Sequence, residues 1–213
     1  MKLSRPSAKT LRRSLTALAL VFALGGAALI AYPFVTDLWA GRIQTSLRAD
    51  LSLSTSADTY RAGDVKIGKA LTRLEIPAID LDVVVVEGTT PAALRAGAGH
   101  YPKTALPGEQ GNVAIAGHRT TYGRPFNRMD DLKPGDKIVL TTPIGKHTYE
   151  VTSRPWVVSP TDATPLTKYE EGGYFLTLTS CHPEGSAAYR IIVRAELIDS
   201  TDTVAQAAIR SRS

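Results

Sequence analysis

The sequence predicts a mainly β domain, an eight-stranded β-barrel with one or two short helices, standing behind a single N-terminal transmembrane helix. Three observations predict this. Residues 14–36 carry no charge and are crowded with Leu, Ala, Val and Phe. From residue 70 onward the texture changes to short apolar runs broken by Gly and Pro. The chain has 213 residues with 43% apolar content, enough for one domain with a substantial core.

The first element follows from length and charge. At the rise of an α-helix, residues 14–36 can cross a hydrocarbon layer of roughly 30 Å. Lys2, Arg5, Lys9, Arg12 and Arg13 precede the apolar run, with no acid among them. That asymmetry assigns 1–13 as a cytoplasmic basic tail and puts the chain after Asp37 outside the cell, in a single-pass arrangement. A cleaved signal peptide is the competing explanation. The run is longer than a usual signal core, no compact A-x-A site follows a short core, and Tyr32 and Trp39 sit where an outer interfacial belt would lie, so a retained anchor is expected.

Residues 37–69 lack sustained periodicity and are read as an extracellular stem, with helix near the membrane. The domain proper is assigned to 70–200, and 201–213 to a C-terminal tail. Its predicted strands cover 71–76, 81–86, 113–116, 137–140, 147–152, 156–158, 174–179 and 191–198. Eight short strands separated by turn residues argue for a closed or nearly closed barrel. Thr90 followed by Pro91 reads as an N-cap with proline in the first turn, so 92–96 should form a short helix. A second is expected near 126–132, ending before the Pro134-Gly135-Asp136 turn. Pro143 and Gly145 mark a hairpin.

Net charge is +5, but the five cations of the tail account for it, leaving 20 basic against 20 acidic residues. The basic balance is therefore a matter of membrane topology, and nucleic acid is excluded as an expected partner. Cys181 is the single cysteine, so it cannot form an intrachain disulfide. It is a packed small residue, an intermolecular link or a working thiol.

Strand alternation decides which polar residues belong together. In 112–118, Val113 and Ile115 hold the apolar phase and His118 falls opposite. In 174–181, Leu176 and Leu178 hold one phase while Cys181 shares the other with Thr177 and Thr179. In 190–197, Ile191, Val193, Ala195 and Leu197 form the core phase and Arg190 falls opposite. All three point away from the core side, as residues lining a surface groove should. Phe175, on the Cys181 phase, is the exception.

These residues carry a family resemblance. Ala116-Gly117-His118-Arg119, with Thr120-Thr121-Tyr122-Gly123 and Pro125-Phe126, resembles the histidine segment of sortases. Leu176-Thr177-Leu178-Thr179-Ser180-Cys181 resembles their cysteine strand, and Tyr189-Arg190-Ile191-Ile192-Val193 the strand that bears their arginine. The resemblance spans residues 70–199. Gly117-His118-Arg119-Thr120-Thr121-Tyr122-Gly123 and Cys181-His182-Pro183 are most similar to class E sortases of actinobacteria. Ser180 departs from the threonine common before the cysteine, though it keeps the hydroxyl. The resemblance implies a sortase-like barrel and a cysteine transpeptidase that cleaves an LPXTG-like signal, LAXTG for class E, after Thr. Its partners would be exported proteins bearing the signal and a peptidoglycan amine presented on lipid II. Cys181, His118 and Arg190 are the catalytic candidates, and Tyr122, Thr120, Thr179 and Ser180 the substrate-binding ones. No cofactor and no metal is implied.

The chemistry needs these three residue types independently of any family. A thiolate attacks amide carbonyls, yet free cysteine titrates near pH 8.5 and free imidazole near 6.5, so an unperturbed pair is thiolate and imidazolium together in only about one per cent of molecules. A guanidinium stabilises thiolate and oxyanion without losing its own charge. An imidazole can give a proton to the departing amine and take one from the arriving amine.

Other polar residues read as structural. His182 adjoins Cys181 but faces the other side of its strand, His100 is assigned to a turn, and His147 to the solvent face of a hairpin. Glu75, Asp80 and Asp82 lack the spacing of a calcium loop. A pilus-polymerising sortase would call for a second C-terminal span and a lid segment, neither of which is visible. The Ser-His-Gly-Cys order of an L,D-transpeptidase is absent around Cys181. A noncatalytic exported barrel that binds a wall component is the alternative from another class.

Overall fold

The computed structural model describes residues 8–53 and 56–211. Lys2 and Arg5 of the expected basic tail lie outside the described residues. Helix α1 runs over Ala8–Leu53, and at ~1.5 Å per residue it is about 69 Å long. It is long and apolar enough to cross a membrane. Phe22, Leu24, Leu29 and Ile30 are each at least 70% exposed, so the domain does not bury them. The helix expected in the stem near the membrane is a continuation of α1, which runs without a break to Leu53. A short helix α2 (Ala57–Arg61), capped by the Ser56 hydroxyl accepting from Thr59 N, follows before the first strand.

The described strands are β1 (Ala70–Ile76), β2 (Leu81–Glu87), β3 (Ala98–His100), β4 (Gly111–Gly117), β5 (Lys137–Thr142), β6 (Gly145–Val151), β7 (Trp156–Val158), β8 (Tyr174–His182) and β9 (Tyr189–Ser200). Their order is β6-β5-β1-β2-β3-β4-β8-β9, and β9 pairs back onto β6 to close the ring. Closure removes sheet edges. The count of eight is as expected, but the membership differs. β7 pairs with β9 outside the ring, while the three-residue β3 completes it between β2 and β4. β3 depends on Gly99, where a Cβ would lie 2.3 Å from the Gly88 carbonyl oxygen.

The core is the inward phase of these strands: Val83 and Val85, Val113 and Ile115, Leu176 and Leu178, then Ile191, Val193, Ala195 and Leu197. Phe126, Met129 and Leu132 plug it from the long connection between β4 and β5. That connection holds one 3-10 turn, Met129–Asp131, in place of the expected second helix. Helix α3 (Pro91–Ala96) forms as expected, with the Thr90 hydroxyl accepting from Ala93 N at 3.2 Å.

His147 corrects an expectation. It is fully buried, on the inward phase with Tyr149 and Val151, between the Ser200 hydroxyl at 3.0 Å and the Thr142 hydroxyl at 3.3 Å. Burial pushes its pKa down to about 4, opposed by the nearby charge of Asp202. The expected C-terminal tail also contains structure: helix α4 (Thr203–Arg210), capped by the Asp202 carboxylate, inserts Ala205 into the core.

β2 explains where α1 goes. Val83 and Val85 enter the barrel, so Val84 and Val86 face outward and need cover. Leu47 of α1 and Ala93 of α3 supply it. Gln44 fixes the register, its amide nitrogen donating to Val84 O at 3.0 Å and Ala96 O at 2.7 Å while its oxygen accepts from Val84 N at 2.7 Å. Arg48 reaches Asp82 at 3.1 Å.

Candidate active site

Three strand ends build the site. β8 and β9 are antiparallel, and their register sets Cys181 directly opposite Arg190. Directly opposed residues have Cα atoms about 4.5–5.5 Å apart, and both side chains leave the same face. β4 runs parallel to β8 on its other side, with Ala116 paired to Thr179. β4 ends at Gly117, and carrying the same register one residue past it sets His118 alongside Cys181, with neighbouring strands about 4.8 Å apart. All three side chains are partly exposed, on the outward phase.

The end of β4 is held by specific contacts. Ser180 Oγ donates to Gly117 O at 2.8 Å, tying the residue before the cysteine to the residue before the histidine. Gly117 has no room for a side chain: a Cβ would lie 2.7 Å from the Phe126 ring. Phe126 N in turn donates to His118 O at 3.1 Å. Arg119 is buried, donating from Nε to Asn127 O at 2.8 Å and from Nη2 to Asp130 at 2.8 Å, with Glu184 of the β8–β9 loop 3.7 Å away. Arg119 therefore braces the histidine loop against the loop that follows the cysteine.

Burial, and then the charge of Arg95, lower the pKa of His118 below the ordinary imidazole value. At neutral pH the resting imidazole is therefore a neutral base, suited to receive the thiol proton. Arg190 Nη1 donates to Ala187 O at 3.0 Å and Tyr189 O at 2.9 Å. Anchoring one nitrogen fixes the guanidinium plane, and the fork has further donors for the groove. Tyr101, just after β3, lies where its hydroxyl senses both Arg190 and Cys181; burial raises its pKa and Arg190 opposes the rise.

The substrate-binding candidates divide. The Tyr122 ring lies 5.2 Å from the His118 ring. Thr120 is half-buried in the same loop. Thr179 is buried beneath Cys181 on the outward phase. Ser180, expected in the peptide groove, is on the inward phase and only 3% exposed, with its proton committed to Gly117 O. Its hydroxyl positions β4. Phe175 lies outside the barrel between Tyr169 and the Arg194 guanidinium, which accounts for its odd phase.

His100 is structural, buried between Glu87 at 2.7 Å and Thr104 at 2.9 Å. Among the described residues no cluster of His, Cys, Asp or Glu could hold a metal ion. Tyr101, Arg95 and the α1 residues beside Tyr122 were not expected at the site. The signal for Tyr101 is its place directly after β3.

The sortase domain family matches residues 74–198. The chain belongs to the sortase family. Sortase SrtE1 of Streptomyces coelicolor is 32% identical over 185 residues, covering 78% of this sortase but 53% of SrtE1, so this chain spans about half the length of that relative. A Clostridium perfringens Sortase D5 transpeptidase superposes with a TM-score of 0.63 at 30% identity, covering 75% of this chain and 98% of that one. Sortase E1 of S. coelicolor with a tripeptide in its active site has a TM-score of 0.58 at 35% identity, covering 62% of this chain and 90% of that one. The likenesses to SrtE1 and Sortase E1 support a class E sortase.

Proposed function

We propose that this sortase is a membrane-anchored cysteine transpeptidase that cleaves an LPXTG-like signal, LAXTG, after Thr. The observation that carries the reading is the Cys181–Arg190 strand pair beside His118, on the outward face of the barrel. The tripeptide in the active site of Sortase E1 supports a peptide substrate. The Cys181 thiol passes its proton to neutral His118, and the sulfur attacks the Thr carbonyl. Arg190 stabilises the oxyanion. The C–N bond breaks, the His118 imidazolium protonates the departing glycine amine, and a thioester remains. An amine of peptidoglycan, carried on lipid II, then attacks the thioester; His118 takes its proton and the thiol is restored.

α1 is the anchor in this reading, with the N-terminus cytoplasmic and the barrel outside, where signal and acceptor both lie. The test is to mix the chain with an LAXTG peptide and a glycine-based amine. The expected product carries the peptide through Thr joined to the amine, and Cys181→Ala should form none. Simple persistence of the intact peptide with wild type would overturn the assignment.

A further inference from the structure

The loop that carries Tyr122 has an unusual backbone. Tyr122 (φ 54°), Gly123 (φ 79°) and Arg124 (φ 47°) all lie in the left-handed region, two of them with side chains that disfavour it. Such a conformation persists only where surrounding groups over-determine it. Those groups come from α1, ahead of the family domain. Asp37 accepts from Gly123 N at 2.8 Å and pairs with Arg124 Nε at 3.1 Å. Thr36 Oγ1 accepts from Tyr122 N at 3.4 Å, and the Tyr32 and Tyr122 hydroxyls share a hydrogen bond of 2.9 Å. The Trp39 ring stands edge-on to Tyr122 at 6.0 Å, and Tyr122 faces His118.

Packing covers only part of this junction, where Ala40 of α1 is 2% exposed. A cleft of about 450 Å³ lies between α1 and the barrel, lined by Asp37, Gln44, Arg48, Val83, Tyr122 and Pro125. Beside that open space, the polar bonds to α1 fix the loop's backbone where packing alone leaves it free on one side.

We infer that the segment of α1 at the membrane exit, Tyr32 to Trp39, about two helical turns, is a positioning element of the active site, which sets Tyr122 against His118 and so shapes the pocket for the signal peptide. This rests on the transpeptidase reading. Asp37 is the principal positioning residue because it satisfies the Gly123 amide and the Arg124 charge together. Attaching the loop to the point of membrane exit also fixes the groove at the membrane's outer surface, where a lipid-borne acceptor would arrive.

The test compares full-length wild type, Asp37→Ala and Asp37→Asn in lipid nanodiscs. Asn keeps an oxygen for Gly123 N and loses only the charge. For Asp37→Ala, amide hydrogen exchange across 120–126 should accelerate and KM for an LAXTG peptide should rise about fivefold or more, with kcat changed less than about twofold. The alkylation rate of Cys181 by iodoacetamide should stay as in wild type, and Asp37→Asn should restore most of the KM. Unchanged exchange in Asp37→Ala would overturn the inference, as would a fall in kcat and alkylation together with unchanged KM. If wild type turns over no peptide, the transpeptidase reading fails, while the exchange rates still decide whether α1 sets the loop.

Discussion

His147→Gln tests the barrel's interior quantitatively. Wild-type His147 is sealed between Thr142 and Ser200 with a pKa near 4, against an ordinary imidazole value of about 6.5 once unfolded. A depressed folded pKa means that the unfolded chain binds the extra proton. Stability is therefore whole above about pH 6.5 and is lost as pH falls toward the folded pKa of about 4. Between pH 7 and pH 4.5 the linkage amounts to roughly 2–3 kcal/mol. Glutamine can bond the same two hydroxyls and takes up no proton, so the difference between wild type and His147→Gln cancels contributions from other groups. Denaturant unfolding in one detergent at both pH values should show wild type losing roughly 2–3 kcal/mol relative to the variant on acidification. A difference independent of pH would refute the burial argument and place His147 in contact with solvent.

Arg190→Lys should reduce kcat/KM by about 10²–10³, because one ammonium cannot hold the Ala187 and Tyr189 carbonyls and also stabilise the oxyanion; peptide-transfer kinetics near the wild-type rate would make Arg190 a passive surface residue. Tyr122→Val should change preference at the second position of the signal, read by competition among peptides varied there, and an unaltered profile would remove Tyr122 from the pocket.

Alternation made the site readable because its three members sit at strand ends whose other phase is apolar through the body of each strand. Val113 and Ile115, Leu176 and Leu178, and Ile191 and Val193 all enter the core, so His118, Cys181 and Arg190 had to leave by the outer face. The same rule buries His147, which shares its phase with Tyr149 and Val151, whereas the polarity of a histidine in a hairpin points to solvent. β3 escaped because Ala98-Gly99-His100 is short and glycine-containing, the signature of a turn, and its pairing is supplied by β2 and β4. The docked half of α1 had a signal in the continuous Val83 to Val86 run. A strand apolar on both phases needs cover on both faces. The contacts of Asp37, Thr36 and Tyr32 with the Tyr122 loop had no such signal, since they join positions 86 to 90 residues apart through hydrogen bonds that no periodicity encodes.

Intact-mass and peptide-mapping spectrometry of the chain after brief exposure to an LAXTG peptide, with no acceptor amine added, tests the convergence of Cys181, His118 and Arg190 most directly. The account predicts an adduct of the peptide through Thr on the fragment containing Cys181, discharged by hydroxylamine and absent in both Cys181→Ala and His118→Ala. A wild-type chain that cleaves the peptide without passing through that adduct, or one that forms it equally well without His118, would contradict it.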